Sequence, residues 1–204
     1  LGAKAVTLSG PDGYIYDPEG IGTDEKIAYL LDLRNSGKNI CAPYAEKFPE
    51  AKFIAGKKPW GVCQDFDVKV DLFIPCAMQN DVHMEDAKNI VESGCKFYCE
   101  GANMPTTNDA LVYLMDNMIA VGPSKAANAG GVACSCIEMG QNAGHTVFQH
   151  EDVYEQLHQI MRNIYNACAN AGETYYGNKN ALVQGANIAG FERVAEAMMA
   201  QGLV

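Results

Sequence analysis

Residues 123–139 are rich in small side chains and carry the polar groups in this chain that are best suited to chemistry. The small residues at 126–131 leave the backbone free to approach a flat, bulky ligand closely. Asn128 and Ser135 flank this gap and offer an amide and a hydroxyl for hydrogen bonds. A tight helix N-terminus packed against a sheet would have the same composition, and the segment alone does not separate the two interpretations.

Three further polar loops follow apolar segments that have the character of strands. They span residues 9–12, 77–80 and 101–103, and each places Asn, Gln, Asp or Ser beside small residues. Ligands of parallel α/β sheets collect beyond the carboxyl ends of the strands. We therefore expect the four loops to lie on one sheet edge and to bind a ligand, most commonly a dinucleotide, rather than only to cap the elements.

Short apolar strands alternate with helices in the part of the chain that must position these loops. This alternation is typical of a parallel sheet covered on both faces, so the predicted fold class is α/β. Two long amphipathic helices are predicted after residue 150, and their apolar stripes are interpreted as core. The predicted strands are 4–9, 70–77, 95–99 and 118–121, the predicted helices are 23–33, 83–92 and 107–116, and residues 37–60 are predicted to be loop.

Charge and cysteine usage limit the classes of partner. The net charge of -10, without a Lys or Arg cluster, argues against nucleic acid or an anionic membrane as partner. The eight cysteines are scattered and lack metal-ligand spacing, which favours reduced, buried thiols over a zinc site or a disulfide framework. No metal site is predicted, and the chain has the character of a cytoplasmic protein.

The start of the chain predicts a fragment. Residues 1–3 are typical of the end of a helix, no initiator Met is present, and the glycine fingerprint of dinucleotide-binding folds is absent. In such folds an acidic residue after the second strand commonly accepts the ribose 2′-hydroxyl, and Asp12 has that position. Alternatively Asp12 only stabilises its Pro-Asp-Gly turn.

Five motifs along the chain carry a family resemblance. They are VTLSGPDGYIYD at 6–17, PCAMQN at 75–80, NMPTT at 103–107, NAGGV at 128–132 and GANIAGF at 185–191. In this order they resemble the successive signatures of the hexameric small-subunit glutamate dehydrogenases. The resemblance implies a Rossmann-like doubly wound sheet lacking its first strand within an NAD-binding domain at residues 1–150. It also implies that residues 151–204 are C-terminal helices returning to a substrate domain that is missing here.

The same resemblance assigns roles to individual residues. Ser135 matches the serine that contacts the side-chain carboxylate of glutamate, and Val132 matches the apolar neighbour in that pocket. The residues implied to contact the coenzyme are Pro11, Asp12, Ala77, Met78, Asn103 and Asn128. Met78 departs from a threonine often found in its loop, and Asp12 favours NAD over NADP because a carboxylate repels a 2′-phosphate.

The implied activity is reversible oxidative deamination of L-glutamate to 2-oxoglutarate and ammonia, with hydride transfer to NAD or possibly NADP, in a homo-hexamer. The catalytic lysines and aspartate of the family lie outside this sequence, so no catalytic residue is assigned here. Lys125 is interpreted as structural or close to the coenzyme. The alternatives are a leucine-type or phenylalanine-type dehydrogenase and a nucleotide-binding module without catalysis.

Overall fold

Residues 2–202 are described by a computed structural model, in which the chain divides into a first unit ending at Val68 and a second starting at Lys69. The helix end predicted at residues 1–3 lies partly outside the described residues. The domain boundary after residue 150 stays a prediction. Across residues 2–202, every helix is too short or too polar to cross a lipid bilayer.

An antiparallel sheet forms the centre of the first unit. Its strands β1 (Thr7–Gly10), β2 (Gly13–Tyr16) and β3 (Lys52–Ala55) pair in the order β1-β2-β3. Gly13 has a φ of 149°, and a Cβ there would lie 3.0 Å from the Cα of Ala55, so glycine is required for this close pairing. The helices of this unit are α1 (Asp24–Asn35), α2 (Ala42–Lys47) and α3 (Val62–Phe66).

The antiparallel pairing corrects two predictions. The loop at residues 9–12 does not lie at the edge of a parallel sheet, because its Pro and flanking glycines form a hairpin turn that pairs β1 with the next strand. Residues 37–60 are not a continuous loop, since they contain α2, β3 and the start of a 3-10 turn (Pro59–Gly61). These elements are too short to show a clear hydrophobic period.

A buried ion pair joins the elements of the first unit. The Lys26 ammonium donates to Asp17 Oδ2 at 2.7 Å and to the Gly20 carbonyl at 3.1 Å. The Tyr44 hydroxyl donates to the same Asp17 oxygen at 2.7 Å. Burial raises the pKa of Asp17, but the hydrogen bonds from Lys26 and Tyr44 outweigh it and hold the pKa below its usual value. The ionised carboxylate therefore fixes the end of β2 against α1 and α2.

A parallel sheet forms the centre of the second unit and confirms the α/β fold class. β4 (Leu72–Phe73), β5 (Phe97–Cys99) and β6 (Ala120–Gly122) pair in the order β4-β5-β6. The predicted helices between them are confirmed as α4 (Met84–Glu92) and α5 (Asn108–Asn117), although the strands are shorter than predicted. After β6 the chain continues into α6 (Ser124–Ala127), α7 (Ala129–Ala143), α8 (His150–Tyr176) and α9 (Leu182–Gln201).

The two long helices predicted near the end of the chain are confirmed as α8 and α9, and their backbones nearly touch. A Cβ at Gly185 of α9 would lie 2.9 Å from the carbonyl carbon of Cys168 in α8. The apolar stripe of α9 is not core in this structure, because Phe191 is 70% exposed and Met199 is 78% exposed. Only the part of α9 around Gly185 is buried against α8.

We predict that Gly185→Ala destabilises the protein by about 1–3 kcal/mol, because the added methyl group meets the α8 backbone, which cannot rotate away. Denaturant titration measures the change. Gly190→Ala is the matched control on the same helix, since a Cβ there meets no atom within 4 Å. The control is expected to stabilise the helix by about 0.5–1 kcal/mol. Equal effects of the two changes would contradict the close contact.

Candidate functional site at the carboxyl ends of the parallel strands

Backbone hydrogen bonds tie together the loops that follow β4, β5 and β6. The Ala102 N–H donates to the Pro75 carbonyl at 2.9 Å, which joins the loops after β5 and β4. The Glu100 N–H donates to the Gly122 carbonyl at 2.9 Å, which extends the pairing of β5 with β6. Three of the four predicted polar loops therefore lie side by side in the second unit.

The side chains of the first two loops are accessible although their backbones are held. Ala77, Met78 and Asn103 are all exposed, and Met78 is 64% exposed. Met104, directly after Asn103, has a φ of 47°, which is strained for a residue with a Cβ. Its carbonyl accepts a hydrogen bond from the Asn80 N–H at 3.0 Å, so the conformation is held by the neighbouring loop.

Asn128 sits at the junction of α6 and α7 and is half-buried. Its backbone N–H donates to the Ser124 carbonyl at 2.9 Å, but its side chain caps neither helix. The carboxamide is thus not committed to helix capping and can serve a ligand.

One face of α7 carries both predicted substrate residues. Asn128, Val132 and Ser135 are spaced by four and three residues, which places them along one side of the helix. Val132 is 69% exposed. The exposed Ser135 hydroxyl donates to the Gly131 carbonyl at 3.2 Å, a long hydrogen bond within the helix. A carboxylate could replace that carbonyl as a stronger acceptor.

Two residues near this face have partners that sequence reasoning did not identify. The Lys125 ammonium donates to Asn187 Oδ1 at 2.5 Å and so links α6 to α9. This contact gives Lys125 a structural partner. The Glu100 carboxylate is buried and accepts from the Ser124 N–H at 2.9 Å. An acidic residue directly after a buried strand was the only sequence signal for Glu100.

Pro11 and Asp12 lie in the hairpin turn of the first unit. Pro11 is exposed, whereas the Asp12 carboxylate accepts hydrogen bonds from the N–H groups of Cys41 and Ala42, each at 2.9 Å. Burial, together with the charge of Asp12, raises the pKa of the Cys41 thiol to about 11. These contacts support a structural role for Asp12 in holding α2 to the turn. They leave acceptor capacity on the carboxylate, so its coenzyme role stays a prediction.

We predict that Asp12→Ala lowers the free energy of unfolding by about 1 kcal/mol, because the N–H groups of Cys41 and Ala42 lose their acceptor. Asp12→Asn keeps one acceptor oxygen and is expected to cost less. Chemical denaturation of both variants and the wild type measures this. Unchanged stability of Asp12→Ala would rule out the capping role.

The sequence of this chain is similar to those of known amino-acid dehydrogenases. A family model for glutamate/leucine/phenylalanine/valine dehydrogenases matches residues 1–202. The NAD-specific glutamate dehydrogenase of Clostridium symbiosum is 56% identical over 205 residues, covering 100% of this chain and 44% of that protein. The NADP-specific glutamate dehydrogenase of Haemophilus influenzae is 45% identical, covering 100% of this chain and 43% of that protein.

A solved glutamate dehydrogenase structure is similar to the whole chain, with a TM-score of 0.90 and 55% sequence identity. The similarity covers 100% of this chain and 44% of that one. The chain therefore spans less than half the length of the curated relatives that it matches.

Proposed function

Because the chain belongs to the glutamate/leucine/phenylalanine/valine dehydrogenase family, we propose that it is the coenzyme-binding part of an NAD-dependent glutamate dehydrogenase. The full-length protein would convert L-glutamate and water reversibly to 2-oxoglutarate and ammonia. Bound nicotinamide supplies the acceptor for the hydride that leaves the α-carbon of glutamate. The residues of this chain bind and orient the two reactants, while acid and base groups are assigned to the part of the protein outside it.

The observation that carries this proposal is the α7 face. An exposed Ser135 hydroxyl beside an exposed Val132 suits a substrate with a short apolar stem and a terminal carboxylate. Leucine or phenylalanine would leave the hydroxyl without a ligand acceptor, so a dehydrogenase of those substrates gains nothing from it. Glutamate is therefore favoured over the other substrates of the family.

The coenzyme assignments in the second unit rest on exposure and free polar groups. The Asn128 carboxamide does not cap a helix, and the Asn103 carboxamide is exposed. Ala77 and Met78 provide accessible surface on the adjacent loop. The small residues at 126–131 add little bulk beside Asn128. This arrangement fits the ribose and carboxamide groups of a nicotinamide nucleotide.

Asp12 supports NAD rather than NADP as the coenzyme. A carboxylate accepts a hydrogen bond from a 2′-hydroxyl and repels a 2′-phosphate. Relatives of this chain carry both NAD-specific and NADP-specific names, so family membership alone does not decide between the two coenzymes.

Exposed apolar surface supports the proposed place of this chain in a larger protein. β4 is an edge strand of the described sheet, and Leu72 and Ile74 are 43% and 50% exposed. We assign this edge to the first strand of the fold and the exposed stripe of α9 to contact with the substrate domain. On this basis residues 1–150 belong to the NAD-binding domain and 151–204 return to the substrate domain. Assembly as a homo-hexamer is implied by the resemblance, and a cytoplasmic location is proposed from the composition of the sequence.

NADH formation by the full-length protein tests the proposed function. We expect L-glutamate to be oxidised with a much higher kcat/KM than L-leucine or L-phenylalanine, and NAD to be preferred to NADP. A preference for leucine would assign the protein to another branch of the family. Binding of NADH without oxidation of any amino acid would favour the module without catalysis.

We predict that Ser135→Ala in the full-length protein raises the KM for glutamate about 10-fold to 100-fold, since a hydrogen bond to a charged group is lost. The dissociation constant of NADH should change by less than about twofold, because the hydroxyl is assigned to the substrate. Cys136→Ala, an exposed neighbour on the same helix, is the matched control. An unchanged KM for glutamate would remove Ser135 from the substrate site.

A further inference from the structure

Glu100 is a buried carboxylate at the point where two candidate coenzyme loops meet. Only 3% of the residue is exposed, although it lies directly before the loop that carries Asn103. Its Oε2 atom accepts a hydrogen bond from the Ser124 N–H at 2.9 Å, at the first residue of α6. One side chain therefore joins the loop after β5 to the segment after β6.

The pairing of β5 with β6 ends at Ser124. It continues up to the hydrogen bond between the Glu100 N–H and the Gly122 carbonyl, at 2.9 Å. Alternate residues of a parallel strand face each neighbour, so the next N–H that faces β5 belongs to Ser124. That N–H binds the Glu100 carboxylate instead of a backbone carbonyl. Glu100 thus holds this segment twice, through its backbone N–H at Gly122 and through its side chain at Ser124.

The contact also links Glu100 to Asn128. Ser124 accepts a hydrogen bond from the Asn128 N–H at 2.9 Å, so the two ends of α6 are held together. The Lys125 contact with Asn187 holds the same short helix from the side of α9. The Glu100 carboxylate is therefore the contact that ties the Asn128 junction to the end of β5.

We propose that Glu100 is a positioning residue for the nicotinamide nucleotide, which sets the Asn128 segment against the Asn103 loop. This inference rests on the proposed function, because it takes both asparagines to contact the coenzyme. Simple filling of space does not require a carboxylate, since burying its charge is costly and an apolar side chain would pack as well. A buried N–H at the end of the strand ladder does require an acceptor, because an unpaired one is costly.

Variants of Glu100 in the full-length protein test this proposal through the affinity for NADH, measured by nucleotide fluorescence. Glu100→Ala is expected to weaken NADH binding about tenfold or more, since it leaves the Ser124 N–H buried without an acceptor. Glu100→Gln keeps an acceptor oxygen and should stay within about threefold of the wild type. Glu92→Gln, an exposed residue of α4, is the matched control. Circular dichroism confirms that each variant is folded.

A second pair of variants removes the donor instead of the acceptor. Ser124→Pro deletes the N–H at the first position of α6, where proline is tolerated, and its ring takes the place of the hydrogen, so the Glu100 carboxylate must move away. Ser124→Ala keeps the N–H and is its reference, expected to bind NADH about tenfold more tightly than Ser124→Pro. The double variant Glu100→Ala with Ser124→Pro should be no weaker than the weaker single variant, because both remove one interaction.

These measurements separate the positioning role from the proposed function. Folded Glu100→Ala with the NADH affinity of the wild type would overturn the positioning role, and so would additive losses in the double variant. If Glu100→Ala does not fold, the comparison of Ser124→Pro with Ser124→Ala decides alone. Failure of the wild type to oxidise glutamate would reject the proposed substrate but leave the NADH measurements valid.

Discussion

The parallel pairing of β4, β5 and β6 is the constraint on which the second unit depends. Every backbone group released where the ladder ends must find another partner, because unpaired buried groups are costly. Ala102 and Glu100 meet this need through carbonyls of the neighbouring strand ends. The backbones of the loops are therefore fixed, while the side chains of Met78 and Asn103 remain exposed. A rigid backbone with accessible side chains is suited to binding a ligand without large reorganisation.

The helices α1 and α4 were predictable from the sequence because their ends carry local signals, which the short α2 lacks. Thr23 accepts a hydrogen bond from the Lys26 N–H at the start of α1, and Gly94 has a φ of 75° just after α4. The shared face of Asn128, Val132 and Ser135 follows from their spacing once residues 129–143 are known to form α7, which the sequence left open. Such features depend on residues within a few positions of each other, so one sequence is sufficient to find them.

Features that depend on distant partners were not predictable. The Asp12 carboxylate accepts hydrogen bonds from Cys41 and Ala42, and the Glu100 carboxylate accepts one from Ser124. The partners are far apart in the sequence, so no local pattern indicates either contact. The hairpin of β1 and β2 was missed for a different reason. A strong turn signal at residues 10–13 is compatible both with a loop after a parallel strand and with a hairpin, and only the pairing partner decides.

The near contact of the α8 and α9 backbones has a mechanical consequence. Two helices whose backbones come this close at Gly185 cannot slide past each other by changing a side-chain rotamer. Asn187 lies two residues beyond that contact and is hydrogen-bonded to Lys125 on α6. Any displacement of α9 would therefore act through Asn187 on α6, the short helix directly before Asn128.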